Sequence, residues 1–355
     1  MQRVTETPEM GNAERPAAAS QEVTQEELLF NRLSKRYRHL KKWAKRTGIN
    51  AFRLYDRDIP EIPLVLDLYD DAVSGALYRR PGKYDDPGAN EKALEAWMLS
   101  MKAAAARALG IPESRIFLKE RRRMRQRKDT GAQYDKVSAQ GFYRDVHEGD
   151  LRFRVNLSDY LDTGLFLDSR KKRALIRGEA EGKRVLNLFA YTCSLSVCAA
   201  KGGARHVDSV DLSNTYLDWG RVNFALNGLE ANYSKGELPL IRGDVIQFIR
   251  EAENKKRRWD IIILDPPGFS NSKKMGGTLD LRRDHKDLVQ RCLNLLSPGG
   301  TLWFSSNARG VSLAGRDFRG CTVKDMGPQL VDEDFRGKRI PACYTVASGA
   351  YENLR

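Results

Sequence analysis

The sequence predicts an α/β fold, an open and largely parallel sheet with its ligand site at the strand ends, preceded by a small α+β domain. Three observations predict it. The run 259–264 carries four apolar residues in succession and closes on Asp265-Pro266-Pro267, the mark of a buried parallel strand that leaves the sheet as a stiff turn. Two upstream runs, 184–189 and 207–211, repeat the pattern of an apolar strand closing on a tight turn or an acid. Finally, 355 residues suggest about two domains, and a 41% hydrophobic content supplies a sizeable core.

The elements follow in order. Residues 1–22 are polar and alanine-rich with no apolar period and are expected to form a disordered tail. Residues 25–46 read as a helix, with Leu28, Leu29, Leu33, Leu40 and Trp43 on one stripe and eight Lys or Arg elsewhere. Strand-like runs come at 51–55, 64–69 and 75–78. A helix is expected at 90–109, capped by Asn90 and ended before Pro112. Runs 115–118 and 151–155 read as further strands. Domain boundaries are therefore expected near 23–149 for the small basic α+β domain and 150–355 for the parallel-sheet one. In the latter, strand 184–189 leads through Ala190-Tyr191-Thr192-Cys193-Ser194 into an apolar helix at 197–200. Strand 207–211 ends in Asp211, 241–245 carries Asp244, and 259–264 ends in Asp265. Pro298-Gly299-Gly300 is a turn before a strand at 301–305.

The strand ends suggest chemistry. Open α/β sheets bind ligands outside the carboxyl ends of their strands, and an acid about 20 residues beyond the first turn suits both hydroxyls of a ribose. Asp211 has that place, while Asp244 suits an adenine amino group; each could instead be a helix N-cap. The turn after the first strand has no Gly-x-Gly-x-x-Gly, and no Gly-x-x-x-x-Gly-Lys occurs. The expected cofactor is thus a nucleoside without a pyrophosphate. The rigid turn at Asp265, beside Phe269, makes a seat for a flat base. Five cysteines without Cys-x-x-Cys spacing suit reduced thiols in a cytoplasm, and four histidines without paired spacing give no metal site. No membrane span or leader is expected.

The strand order resembles the class I S-adenosylmethionine-dependent methyltransferases, which implies a Rossmann-like, seven-stranded catalytic domain. The resemblance narrows. Residues 156–170 are similar to the segment ahead of the first strand in bacterial large-subunit rRNA methyltransferases. Residues 265–273 and Arg283-Asp284-His285 resemble the C-terminal half of the bifunctional 23S rRNA guanine methyltransferase, the half that forms 7-methylguanosine. It extends to 31–33, 39–44, 53–56, 334–335 and 343–344. It implies S-adenosylmethionine as cofactor, held by Phe166, Asp168, Arg170, Asn187, Phe189, Ala190, Tyr191, Thr192, Ser194, Asp211, Leu212, Asp244, Val245 and Asp265. Asp168 and Arg170 could instead be a structural ion pair. Asp265, Pro266, Pro267 and Phe269 are expected to hold the target base. Cys193 stands where the family usually has glycine, and Gly268 where it often has threonine.

A net charge of +14 points to a polyanionic partner. Two basic runs concentrate it, the helix at 32–46 and residues 119–128. Arg36, Lys41, Lys42, Arg121, Arg122, Arg123 and Arg125, with Lys273 and Lys274 beyond the proline turn, are expected to grip RNA phosphates without reading sequence. The resemblance implies large-subunit rRNA as the substrate and guanine N7 as the acceptor, an atom with a free lone pair that needs no base. Pyrimidine C5 chemistry needs a cysteine nucleophile, and the corresponding positions read Gly268 and Ser305-Ser306-Asn307. Exocyclic-amine methylation at guanine N2 or adenine N6, and a non-catalytic ribosome-assembly role, are the alternatives.

Overall fold

The computed structural model describes residues 23–78, 89–121, 138–270 and 279–348. The expected tail at 1–22 lies outside them, as do Arg122, Arg123, Arg125, Lys273 and Lys274.

The first half is built on helix α1 (Gln25–Thr47), strands β1 (Ala51–Asp56), β2 (Leu64–Tyr69) and β3 (Ala72–Tyr78), helix α2 (Ala89–Leu109) and strand β4 (Ile116–Arg121). Thr24 caps α1 by accepting from Glu27 N, and Gly48 ends it in the left-handed conformation. β1, β2 and β3 pair antiparallel, and α2 is the crossover that brings β4 parallel to β3. Leu29, Leu33, Leu40 and Trp43 of α1 pack with Met101, Ala104 and Ala105 of α2 over Leu54, Leu66 and Val73 of the sheet. Leu28, expected in that stripe, is instead at the surface. A hairpin of β5 (Tyr143–Glu148) and β6 (Leu151–Asn156) follows. Its Val146, Phe153 and Val155 share a core with Ala51 and Tyr69 on one side and with Val197, Leu217 and Phe224 on the other.

The second half contains α3 (Arg170–Glu179), β7 (Arg184–Leu188), α4 (Ser194–Lys201), β8 (His206–Asp211), α5 (Asn214–Leu226), β9 (Asn232–Tyr233), β10 (Pro239–Arg242), α6 (Val245–Asn254) and β11 (Trp259–Leu264). The pair β12 (Phe269–Ser270) and β13 (Leu279–Asp280), α7 (Leu281–Leu293), β14 (Leu296–Ser306), β15 (Cys321–Asp325), α8 (Gly327–Leu330) and β16 (Ala342–Ser348) complete it. Eight strands align as β15-β16-β14-β11-β7-β8-β10-β9. The five from β14 to β10 are parallel, and β16 is antiparallel to both β14 and β15. This is the expected Rossmann-like sheet of seven strands, with the two-residue β9 added at one edge. Alternation splits the core. Leu186, Leu188, Ile262, Leu264, Leu302 and Phe304 face α6 and α7. Val185, Ile261, Ile263 and Trp303 face the α3 and α4 side. Pro298-Gly299-Gly300 lies within β14 as a register shift against β11, so that Trp259 pairs with Leu296 and Ile261 with Thr301.

Candidate active site

The chain leaves β7 toward β8 and later returns on β7's other side as β11. The carboxyl ends of these neighbours open a crevice at a topological switch point. The cofactor turn leaves β7 here, Asp211 ends β8, Asp244 follows β10 and Asp265 follows β11.

The turn from Phe189 to Cys193 is unusual backbone. Phe189 (φ 58°), Tyr191 (φ 52°) and Cys193 (φ 60°) all lie in the left-handed region without being glycine, a conformation that costs roughly 1–2 kcal/mol per residue. Surrounding bonds hold it. Ala190 N donates to Val210 O at 3.0 Å and Tyr191 N to Asp211 Oδ2 at 2.9 Å. Thr192 Oγ1 donates to Gly164 O at 2.6 Å, and Asn223 Nδ2 to Thr192 O at 2.9 Å. Gly164 is required: at φ 95°, a Cβ there would lie 2.3 Å from the Trp219 ring. Strain concentrated on one over-determined loop is the pattern of a ligand site.

Asp211 is not the cap of α5. Ser213 is, accepting from Tyr216 N at 3.3 Å. Asp211 accepts from Tyr191 N and, through Oδ1, from Ser213 N at 2.8 Å. Burial pushes its carboxyl up against these N–H groups. With about four acceptor positions on a carboxylate, room is left for hydroxyl donors. Leu212 follows it, half-buried. Asp244 is a helix cap, its Oδ1 accepting from Ile246 N at 2.8 Å ahead of buried Val245. Asn187 is buried at the end of β7. Its Nδ2 donates to Ser196 Oγ at 2.8 Å, while its Oδ1 has no partner among the described residues. A buried acceptor without a donor, beside a strained turn and a carboxylate with spare lone pairs, fits a cofactor carrying both an ammonium and ribose hydroxyls. Ser194 opens α4 at the turn's end.

Cys193 does not intrude on this site. Its side chain is fully buried and directed at α5, where Gly220 makes room; a Cβ on Gly220 would lie 2.5 Å from Cys193 Sγ. Burial pushes the thiol up, so it stays protonated. Gly268 is exposed, and a Cβ there would meet only Ala308 at 3.5 Å, so a side chain fits equally well.

At the opposite wall, Asp265 is partly exposed while Pro266 is buried beneath it. Pro267 is half-buried, and Phe269 opens β12 opposite Asp280. Phe166 is 43% exposed and stacks at 5.4 Å on Tyr191, which meets Tyr216 edge-on at 4.5 Å. Burial pushes the Asp168 carboxyl up against the opposing pull of Arg53 and Lys172.

Arg170 departs from expectation. It makes no ion pair with Asp168. It donates to Asp332 at 2.8 Å, to Asp334 at 3.1 Å and to Ala51 O at 2.8 Å, joining β1 to the segment after α8. Arg36 is also turned inward, donating to Leu54 O and Asp334 O. Arg121 pairs with Asp162. Each of these expected RNA-binding cations thus has a protein acceptor close by. Lys41 and Lys42 are exposed as expected, with Lys35, Arg38, Lys45 and Arg46 along the same helix.

One buried cation beside the proline turn was not legible in the sequence. Lys172, 3% exposed, reaches Asp265 Oδ2 at 2.9 Å and Ser305 Oγ at 2.8 Å. The available signal was the start of α3, where Arg170, Lys172 and Arg173 crowd positions from which Arg173 continues an apolar stripe through Ile176 and Ala180.

Comparison with known proteins decides the family. A model of S-adenosylmethionine-dependent methyltransferases matches residues 69–323. The chain belongs to this family. It is 44% identical over 321 residues to the ribosomal RNA large subunit methyltransferase K of Neisseria meningitidis serogroup B, covering 89% of this chain and 86% of that protein. It is 42% identical over 309 residues to the ribosomal RNA large subunit methyltransferase K/L of Pseudomonas aeruginosa, covering 87% of this chain and 40% of that longer protein. The fold matches a structure from Streptococcus mutans described as an S-adenosylmethionine-dependent methyltransferase, with a TM-score of 0.67 and 22% identity over 94% of this chain and 83% of the other. S-adenosylmethionine is thus the cofactor of this family member, and the chain is an enzyme. Among the described residues no helix is long and apolar enough to cross a membrane, and no cluster of His, Cys, Asp or Glu could hold a metal.

Proposed function

We propose that this methyltransferase modifies a guanine of large-subunit rRNA at N7. The observation that carries the reading is the Asp265-Pro266-Pro267 turn, set beside the cofactor turn at the switch point and partly open to solvent. The rRNA methyltransferases that the chain resembles at 44% and 42% identity support the substrate class. Residues 23–149 serve as the RNA-positioning unit, 150–355 as the catalytic unit, and the cytoplasm is the compartment.

When bound, S-adenosylmethionine supplies a methyl group already activated on a sulfonium. Asp211 would take the ribose hydroxyls and Asn187 Oδ1 the amino group of the methionine end. Phe166, Asp168, Leu212, Asp244 and Val245 would border the nucleoside. Transfer is an in-line displacement, so the protein's task is alignment. Asp265 and the proline turn fix the edge of an unstacked base, and Phe269 lies under its face. N7 has no proton to lose, which agrees with a site whose nearby thiols are inert. Cys343 is buried and pushed up to about 11, and the positions that would hold a C5 nucleophile carry Gly268 and Ser305.

The test uses large-subunit rRNA from a strain lacking the protein, incubated with the purified chain and labelled S-adenosylmethionine. Label in 7-methylguanosine is the expected result. Label in N2-methylguanosine or N6-methyladenosine would keep the enzyme class and overturn the acceptor atom.

A further inference from the structure

Helix α3 buries three cations near its start, and they do not share a face. Arg170 and Arg173 are three residues apart and lie together. Arg170 bonds to Asp332 and Asp334, and Arg173 bonds to Glu148 at 2.8 Å and to Phe166 O at 3.0 Å. Lys172 is two residues from Arg170, about 200° around the helix, and points the other way. Its ammonium joins Asp265 at the end of β11 to Ser305 near the end of β14.

Burying an ammonium is costly, and an apolar side chain of similar length would pack α3 on the sheet without that cost. Burial opposes the charge on Lys172, but Asp265, Asp168 and the bond to Asp265 overcome it, so the lysine stays protonated. Its carboxylate partner is not a core acid. The Asp265 side chain is 32% exposed against 4% for Lys172, so the pair runs from the interior to the mouth of the site. The lysine holds Oδ2, and this leaves Oδ1 as the oxygen available to a ligand. The Asp265 charge is also balanced. A carboxylate bonded to an ammonium suits an acceptor atom with no proton to give up better than it suits an amine that must lose one.

We propose that Lys172 is a positioning residue for methyl transfer, fixing the Asp265 carboxylate so that the proline turn presents the target base in line. The proposal rests on the reading of Asp265 as a base-holding group. Such a residue acts on alignment and leaves cofactor binding alone. Misplacement by about 1 Å can cost 10²-fold in rate.

The experiment measures kcat and the KM for S-adenosylmethionine on large-subunit rRNA from a strain lacking the protein, for Lys172→Met, Asp265→Asn and the double variant. Lys172→Met is expected to lower kcat roughly 10- to 100-fold while the cofactor KM moves less than about threefold. The double variant should fall no further than Asp265→Asn, because the lysine acts only through that carboxylate. A Lys172→Met enzyme with wild-type kcat beside an impaired Asp265→Asn enzyme would overturn the role of the lysine alone. An unimpaired Asp265→Asn enzyme would overturn the base-holding reading and the proposal with it. Should Lys172→Met not fold, Ser305→Ala removes the second anchor of the ammonium without stranding a charge. It should lower kcat several-fold, and an unchanged kcat would again reject the role.

Discussion

At the scale of single residues, the Cys193 side chain and the missing side chain of Gly220 form one unit. An alanine at 220 would normally help α5 by about 1 kcal/mol of helix propensity. Here its Cβ would lie 2.5 Å from the Cys193 sulfur and 3.0 Å from the Cys193 Cβ, both fully buried. Overpacking of that kind costs typically 1–3 kcal/mol, so Gly220→Ala should destabilise by about 1–2 kcal/mol. In a Cys193→Gly background the clash is gone and the left-handed φ of 60° suits glycine. There Gly220→Ala should become neutral or stabilising. Urea denaturation of the four proteins measures the coupling, and additive effects would show that the two sites do not touch. This pair also shows what a sequence conceals. The substitution of cysteine for glycine on the cofactor turn is visible at once, but its compensation lies 27 residues away in a helix whose glycine reads as a mild defect. Lys172 was concealed for a related reason. Pattern reasoning sends cations to the surface, and only the partner positions, Asp265 and Ser305, reveal one drawn inward.

At the scale of elements, legibility follows burial. β7, β8 and β11 were readable because parallel strands covered on both faces are continuous apolar runs. β5, with Arg144, Asp145, His147 and Glu148, and the edge strand β15, with its alternation of half-buried and exposed positions, carry no such run. β5 is recognised by its hairpin with β6, and β15 by its antiparallel pairing with β16, rather than by a pattern of its own. The connection from β6 into the site is likewise held by a polar knot rather than by apolar packing. Buried Asp159 accepts from Ser158 Oγ at 2.6 Å, Asn156 Nδ2 at 3.1 Å and Gly141 N at 3.0 Å, tying the start of β5 to the end of β6. Burial alone would raise this carboxyl, but the hydrogen bonds from Ser158, Asn156 and the backbone prevail and bring it down to about 2. A folded value below the unfolded one stabilises above the unfolded value, near 4, and that contribution disappears as pH falls toward 2. The shift corresponds to about 2 kcal/mol. Asp159→Asn should therefore be less stable than wild type at neutral pH by about that amount, with the gap closing between pH 4 and 2. A gap independent of pH in that range would show that Asp159 contributes by shape and not by charge.

At the scale of the whole molecule, the basic residues of α1 point two ways, and only the structure separates them. Arg36 faces inward and, with Arg170, converges on the segment around Asp334, which is fully buried and also accepts from Arg53 N at 3.0 Å. These bonds dock the N-terminal sheet on the catalytic one. Lys41, Lys42 and Lys45 face solvent on the same helix. If the outward set grips RNA, each phosphate contact releases condensed counterions, and the dependence of log affinity on log salt changes by about 0.7–0.9 per contact. Replacing Lys41, Lys42 and Lys45 with alanine should weaken rRNA binding at low salt and flatten the slope by about 2, with melting temperature unchanged. Arg36→Ala should do the reverse, lowering the melting temperature while leaving the slope as it was. Binding titrations from 50 to 200 mM salt, paired with thermal melts, separate the two duties. A triple-lysine variant with the wild-type slope would move the RNA track off α1 altogether and leave the net charge of +14 to act through other surfaces.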